Sequence, residues 1–534
     1  MNIEWSQKLF EALYNEGVRD LVLCPGARNS PLVAVLSRMS GFTLHSFFEE
    51  RSGAFFALGL SRRTGAPAAI VTTSGTAAAE LLPAVVEAYH TGVPLIAITA
   101  DRPRRLRGTG APQAIDQVGL FGKFVSLESD LESGEMPSFE KWNRRTPAHL
   151  NICFDEPLLD APLRDFSFAG GSAHTSFLGT STFPSSAGAE WASLRLTKFL
   201  RSEDPLVVVV GTLESPRERE AVTAFLKRVG APVYLEGTSG LRERADLQSI
   251  VLRSGDKLLA WGLKQGFIAR VLRIGGVPTV RIWRDLDEAT SKIEVLSLTN
   301  LPFQGLSRGE LVCTEIASCV EAVSLEMKPD SVAGALLVKD RAVEKALSQL
   351  YIDEPLAEPS LVHALSKRIT PDSVVYVGNS LPIREWDLAA SYEQVVAVEA
   401  NRGVNGIDGQ VATFLGLARE GVENWAIMGD LTAMYDLAGP WGLRSRPDVR
   451  MNLVIINNGG GKIFSRIFKN DLFENKHSFE FEGWARMWRL PYERWTTIPD
   501  SCARAESVVI ELVPDNEATQ RFWDRYDSFW ETRK

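Results

Sequence analysis

The feature that most constrains the fold of this chain is a run of short, wholly apolar segments separated by helix-length stretches, repeated in three successive blocks. A run such as Leu206-Val207-Val208-Val209-Val210 has no polar alternation, so both faces of the strand must be covered. That is the mark of a parallel sheet with helices on each side. The first block places strands from Leu21 to Cys24, Phe42 to Phe48, Ala68 to Thr73, Leu95 to Thr99 and Leu150 to Phe154. A Gly/Ser/Thr-rich segment from Ala169 to Ala189 then reads as a surface linker. The second block runs from Leu206 to Gly211, Leu258 to Trp261 and Val280 to Trp283. The third begins near Pro359 after a mostly helical stretch, with strands from Val374 to Val377, Val395 to Val398, Trp425 to Met428, Asn452 to Ile456 and Val508 to Leu512. The expected fold is α/β, with three consecutive doubly wound parallel-sheet domains at 1–180, 190–335 and 350–534.

Length and composition agree with that division. At 534 residues the chain exceeds a typical domain of roughly 150 residues several-fold. Its 23% charged and 45% hydrophobic residues are ordinary globular values and give no sign of disorder. A net charge of -9 argues against a nucleic-acid partner, which needs clustered excess Lys and Arg. No apolar run reaches the roughly 18–20 residues of a membrane span, and Met1-Asn2-Ile3-Glu4-Trp5 lacks the parts of a signal peptide. No membrane insertion and a cytoplasmic location are therefore expected. The five cysteines (Cys24, Cys153, Cys313, Cys319, Cys502) are odd in number and scattered, which encodes neither a disulfide framework nor a zinc site. Cys24, in an apolar strand, reads as a core residue. The glycines of the middle block form no Gly-x-Gly-x-x-Gly, so a dinucleotide site is not supported.

The third block carries the strongest chemical signal. Gly429-Asp430 ends one apolar run and Asn457-Asn458-Gly459-Gly460 ends the next. A strand-helix-strand unit, with the helix from Leu431 to Leu437, brings both strand ends to one edge of a sheet, where open α/β folds bind ligands. A carboxylate and an amide oxygen are hard ligands of the kind magnesium takes alongside phosphate oxygens. The glycines allow close backbone approach, and Gly460 is the expected third ligand. Either motif alone is an ordinary βα turn. Their pairing describes a magnesium-diphosphate cradle in which Asn457 or Asn458 supplies the amide.

That pair resembles the thiamine diphosphate signature, in which Gly-Asp is followed by Asn-Asn. Leu431 stands where a third glycine is usual. Three α/β domains with this signature in the third resemble the thiamine diphosphate decarboxylase superfamily. The resemblance implies that the first domain binds the aminopyrimidine and the third the diphosphate, with cofactor halves on different subunits of a homodimer or homotetramer. It places the amide ligand two residues before the glycine whose carbonyl also binds, which favours Asn458. It also requires a glutamate to pair with the pyrimidine ring. Glu49 and Glu50, before Arg51-Ser52, are candidates. Both also suit a helix start through the macrodipole, and family position favours Glu50. A buried Glu tends to stay protonated, as proton exchange near neutrality needs.

Arginines mark further strand ends: Arg28, Arg102, Arg384 and Arg402. Each alone is an ordinary solvated or ion-paired charge. Converging on one edge, they would form a cationic pocket for substrates with several carboxylates. Their motifs are Cys-Pro-Gly-Ala-Arg-Asn (24–29), Glu-Glu-Arg-Ser (49–52), Thr-Ser-Gly-Thr-Ala (73–77), Thr-Ala-Asp-Arg-Pro (99–103), Gly-Ala-Pro-Gln-Ala-Ile (110–115), Gly-Asn-Ser-Leu (378–381) and Asn-Arg-Gly-Val-Asn-Gly-Ile-Asp-Gly (401–409). In this order they resemble the 2-succinyl-5-enolpyruvyl-6-hydroxy-3-cyclohexene-1-carboxylate synthases of menaquinone biosynthesis, well over the first and third blocks and weakly over the middle one. The resemblance implies decarboxylation of 2-oxoglutarate and addition of the succinyl carbanion equivalent to isochorismate, with thiamine diphosphate and Mg2+ or Mn2+. It assigns Arg28 and Arg102 to isochorismate, Ser380, Arg384 and Arg402 to the 2-oxoglutarate-derived part, and Gln113 to the reacting centre. Ile407 becomes the wedge that bends the cofactor, Ile463 and Phe464 line its pocket with Gly429, and Arg281 is the middle domain's contribution. Three positions depart from the family pattern: Ala27 for Ser, Pro112 for Asn and Val280 for a basic residue. The alternatives are an acetohydroxyacid synthase or another 2-oxoacid decarboxylase, which need fewer arginines. A non-catalytic metabolite-binding protein of the same fold would be expected to have lost Glu50, Asp430 or Asn458.

Overall fold

The computed structural model describes residues 2–168, 186–278, 280–288, 293–324, 331–468, 470–502 and 504–531. The expected linker lies, as far as position 185, outside the described residues, as does Thr279. From Ser186 onward the chain is already helical, in Ser186–Leu200.

Three six-stranded sheets, each parallel throughout, form the framework. The first contains β1 (Asp20–Leu23), β2 (Thr43–Ser46), β3 (Ala68–Thr72), β4 (Leu95–Asp101), β5 (Leu127–Glu132) and β6 (Ala148–Cys153), in the order β2-β1-β3-β4-β6-β5. The second contains β7 (Leu206–Val210), β8 (Val233–Leu235), β9 (Val251–Leu252), β10 (Arg270–Ile274), β11 (Glu294–Thr299) and β12 (Glu310–Cys313), in the order β9-β8-β7-β10-β11-β12. The third contains β13 (Val374–Val377), β14 (Ala397–Glu399), β15 (Asn424–Gly429), β16 (Met451–Ile456), β17 (Tyr492–Trp495) and β18 (Val508–Leu512), in the order β14-β13-β15-β16-β18-β17. The first and third sheets thus share one strand order. The middle sheet has the order of dinucleotide-binding folds. At its switch point, however, the loops after β7 and β10 close on each other: a Cβ on Gly211 would lie 2.4 Å from Gly276 O.

Two expected strands are helices. Leu258 to Trp261 lies within the helix Lys257–Gln265, where Leu258, Leu259, Gly262 and Leu263 are buried at helical spacing. Ile282 and Trp283 begin the helix Ile282–Glu288. A short apolar run fits either element, and only its burial pattern separates them. The sequence reading passed over β5, β8 to β12 and β17, several of which carry charges. Arg270 is buried within β10, its guanidinium donating to the carbonyls of Phe199 (2.6 Å), Ser202 (2.7 Å) and Asp204 (2.6 and 2.9 Å). These bonds offset the cost of burying the charge.

The chain packs as two compact units: Met1–Thr182 with Gly403–Gly421 and Thr432–Val449, and Phe183–Arg402 with Val422–Leu431 and Arg450–Lys534. In the first, the helices Glu50–Thr64 and Gln410–Leu417 meet through glycines. A Cβ on Gly59 would lie 2.2 Å from Thr413 O, and one on Gly416 would lie 2.3 Å from Phe56 O. Buried Asp436 ties the same unit together, accepting from Ser52 Oγ (3.1 Å) and Ala412 N (2.9 Å). Gly416→Ala is expected to cost about 1–3 kcal/mol, the range for overpacking a tight contact, read as a lowered thermal midpoint. In the second unit, the Gly237 amide donates to Asp387 Oδ1 (2.7 Å), and Arg242 stacks on Tyr392 at 3.8 Å and donates to Ala390 O (2.6 Å). All five cysteines are free, and Cys24 is buried, with its thiol pushed above the usual range by burial. Among the described residues, no helix is long and apolar enough to cross a membrane.

Candidate active site

At the ends of β15 and β16, Asp430 is almost fully buried. Its Oδ2 accepts from the amides of Gly459 (3.0 Å) and Gly460 (2.9 Å), and its Oδ1 from the Leu431 amide (2.6 Å). Both glycines have positive φ, 84° and 136°. A Cβ on Gly460 would stand 2.5 Å from Glu474 O, so this turn needs glycine. The space around Gly429 is open: a Cβ there would meet nothing within 4 Å. Burial pushes the Asp430 carboxyl upward, opposed by these amides and by His477, whose Nε2 lies 3.2 Å from Oδ2.

The two asparagines face different ways. Asn457 Nδ2 donates to Glu511 Oε1 and Phe479 O, both at 2.8 Å. Asn458 Nδ2 donates to Glu358 Oε2 (2.9 Å) and Oε1 (3.2 Å), which leaves its Oδ1 buried without a hydrogen-bond partner among the described residues. A buried partnerless oxygen beside a buried carboxylate suits a hard cation. The Gly460 carbonyl accepts from Lys462 N (2.9 Å) and keeps a second lone pair. Among the described residues, no group of three or more His, Cys, Asp or Glu side chains is set to hold a metal ion. The groups here that could hold a cation are the Asp430 carboxylate and the Asn458 and Gly460 oxygens. Ile463 is half-buried just beyond the turn, and Phe464 faces Phe468 and Phe473 at 6.0 and 6.3 Å.

In the first unit, the helix Glu50–Thr64 starts at the loop after β2. Glu49 is its cap, accepting from the amides of Arg51 (3.1 Å) and Ser52 (3.0 Å), and this leaves Glu50 out of the capping bonds. Burial raises the Glu50 carboxyl, and the nearby Glu49 and Glu80 charges add to the effect. Ile407 is half-buried in the loop before Gln410–Leu417.

Two arginine clusters form, one in each unit. Arg102 donates to Ser74 Oγ (2.9 Å) and Gln113 O (2.7 Å), while Gln113, at φ 59°, donates through Nε2 to Ser74 O (3.0 Å). Burial, then the neighbouring Arg28 charge, lowers the Arg102 pKa. Arg28 itself donates to Phe154 O (3.1 Å). In the second unit, Ser380, at φ 74°, caps the helix Leu381–Ala389 and accepts through its carbonyl from Arg384 (2.5 Å). Arg402 donates to Asn379 Oδ1 (2.6 Å). Arg281, in the second unit, has an exposed side chain that pairs with Asp285, one turn along, at 3.1 Å. Ser74, Asn379, His477 and Glu358 are site neighbours that the sequence reading missed. Ser74 and Asn379 lay inside the quoted motifs and could have been singled out there. Nothing in the sequence pairs Glu358 or His477 with the cradle.

Residues 3–120 match the family described as thiamine pyrophosphate enzyme, N-terminal TPP binding domain. The chain is 42% identical over 540 aligned residues to 2-succinyl-5-enolpyruvyl-6-hydroxy-3-cyclohexene-1-carboxylate synthase of Bdellovibrio bacteriovorus, covering 99% of both chains. The chain belongs to this synthase family. A relative of the same name from Akkermansia muciniphila is 36% identical over 95% of each chain, and one from Bacillus pumilus is 30% identical over 92% of this chain and 89% of its own. Membership therefore spans all three sheets, including the middle one, where the synthase motifs were weakest.

Proposed function

We propose that this chain is a thiamine diphosphate- and Mg2+- or Mn2+-dependent transferase of the transketolase/transaldolase class. It decarboxylates 2-oxoglutarate and adds the succinyl unit to isochorismate for menaquinone biosynthesis, as a cytoplasmic homodimer or homotetramer. Residues 1–180 serve as the aminopyrimidine domain, 190–335 as the central domain and 350–534 as the diphosphate domain. The observation that carries this reading is the buried cradle in which Asp430 and the partnerless Asn458 oxygen end adjacent strands.

When bound, thiamine diphosphate supplies an electron sink and, through its own amine, a base. The chain binds, orients and neutralises charge. Asp430, Asn458 and Gly460 hold the metal and, with Gly429, the diphosphate. Glu50 keeps a proton at the pyrimidine ring nitrogen, helped by its burial. Ile407, Ile463 and Phe464 shape the cofactor pocket. Ser380, Arg384 and Arg402 neutralise the 2-oxoglutarate carboxylates, Arg28 and Arg102 those of isochorismate, and Gln113 serves the reacting centre. Arg281 is the central domain's contribution to substrate binding.

The test is purified protein with thiamine diphosphate, Mg2+ and 2-oxoglutarate, with and without isochorismate, following carbon dioxide and product mass. Product that depends on isochorismate is expected. Turnover of pyruvate without isochorismate would instead identify a simpler decarboxylase. Arg384→Ala is expected to raise KM for 2-oxoglutarate about 10- to 100-fold, the worth of a charge-assisted hydrogen bond, with little effect on KM for isochorismate. Arg102→Ala should show the reverse pattern in steady-state kinetics.

A further inference from the structure

We infer that Glu358 is a positioning residue that fixes the Asn458 amide with its oxygen toward the metal. The inference rests on the proposed cradle and adds to it a residue one hundred positions earlier in the chain. An amide can present either end, and which end faces a cation is settled by what holds the other. Asn458 sits between a turn that supplies backbone amides to Asp430 and a carboxyl that can hold its Nδ2. Glu358 is 2% exposed, and both its oxygens lie within 3.2 Å of that nitrogen. With both Glu358 oxygens on the Nδ2 side, the amide turns its hydrogens to Glu358 and its oxygen away. Glu385, fully buried on the helix that carries Arg384, interacts with Glu358 through its own carboxyl. The same helix thus presents Arg384 outward and Glu385 inward, toward the partner of Asn458.

The orientation matters because a flipped amide would aim hydrogens at the cation and remove one ligand. Residues that orient metal ligands typically change metal affinity by about 10- to 100-fold when lost. The experiment measures Mn2+ binding in the presence of thiamine diphosphate, by electron paramagnetic resonance of free Mn2+ and by tryptophan fluorescence. Glu358→Ala is expected to weaken Mn2+ binding by about 10- to 100-fold. Asn458→Asp, which sets carboxylate against carboxylate, is expected to weaken it as well. Asn458→Asp combined with Glu358→Gln reverses the donor and acceptor while keeping an oxygen on the metal side, so affinity should recover relative to Asn458→Asp alone. A merely structural role for Glu358 predicts no such rescue. Wild-type Mn2+ affinity in Glu358→Ala, or additive losses in the double variant, overturns the inference. Asp430→Ala separates the two levels: if it too binds Mn2+ like wild type, the cradle itself is misassigned, whereas a loss there with unchanged Glu358 variants removes only the role of Glu358.

Discussion

Glu50→Gln is expected to reduce turnover by about three orders of magnitude, within the range for loss of a positioned proton-transfer group, while the thermal midpoint stays near that of the wild type. The separation follows from the division of labour at the start of the helix Glu50–Thr64. Glu49 makes the capping hydrogen bonds, so the helix does not depend on Glu50. Glutamine keeps the shape but has no carboxyl proton to share with the pyrimidine. Binding of thiamine diphosphate, followed by fluorescence, should weaken far less than turnover. Wild-type turnover in this variant would refute the proposed mechanism. Glu49→Gln is the matching control: it should lower stability by about 0.5–2 kcal/mol, as cap removal does, with a smaller effect on turnover.

Asp430→Ala is expected to abolish metal-dependent cofactor binding, by at least about 100-fold, since even residues that only support a ligand are worth 10- to 100-fold. The substitution removes one ligand and also frees the Gly459 and Gly460 amides that Asp430 now holds. The expected result is thiamine diphosphate affinity that no longer responds to Mg2+. Calorimetric titration with and without the metal reads this directly. Unchanged metal dependence would move the diphosphate site elsewhere.

Much of the framework was legible in the chain because buried parallel strands must be apolar on both faces. Val374–Val377 and Val508–Leu512 were placed at their full extent, and Asn424–Gly429 and Met451–Ile456 within two residues at each end. The middle block was read worst. Its strands carry Arg270 and Arg273, whose charges conceal the pattern, and its helix Lys257–Gln265 begins with an apolar run of strand length. Glu294–Thr299 and Glu310–Cys313 begin with glutamates that likewise mask a buried strand.

The sequence by itself determined the chemistry on offer: a Gly-Asp and an Asn-Asn-Gly-Gly at successive strand ends, a Glu pair before a helix, and arginines after strands. These are local signals, fixed by residue type and spacing, and they suffice to identify the family. The resemblance favoured Glu50 and Asn458, but only the tertiary structure shows what each member of the two pairs touches. Glu49 and Glu50 are neighbours in sequence, yet Glu49 caps the helix by accepting from the Arg51 and Ser52 amides and Glu50 makes neither of those bonds. Asn457 and Asn458 are equally polar, yet Asn457 is held by Glu511 and Asn458 by Glu358. Those partners lie 54 and 100 positions away, and no local pattern can specify them, because they meet only when separate strands and helices pack at one sheet edge.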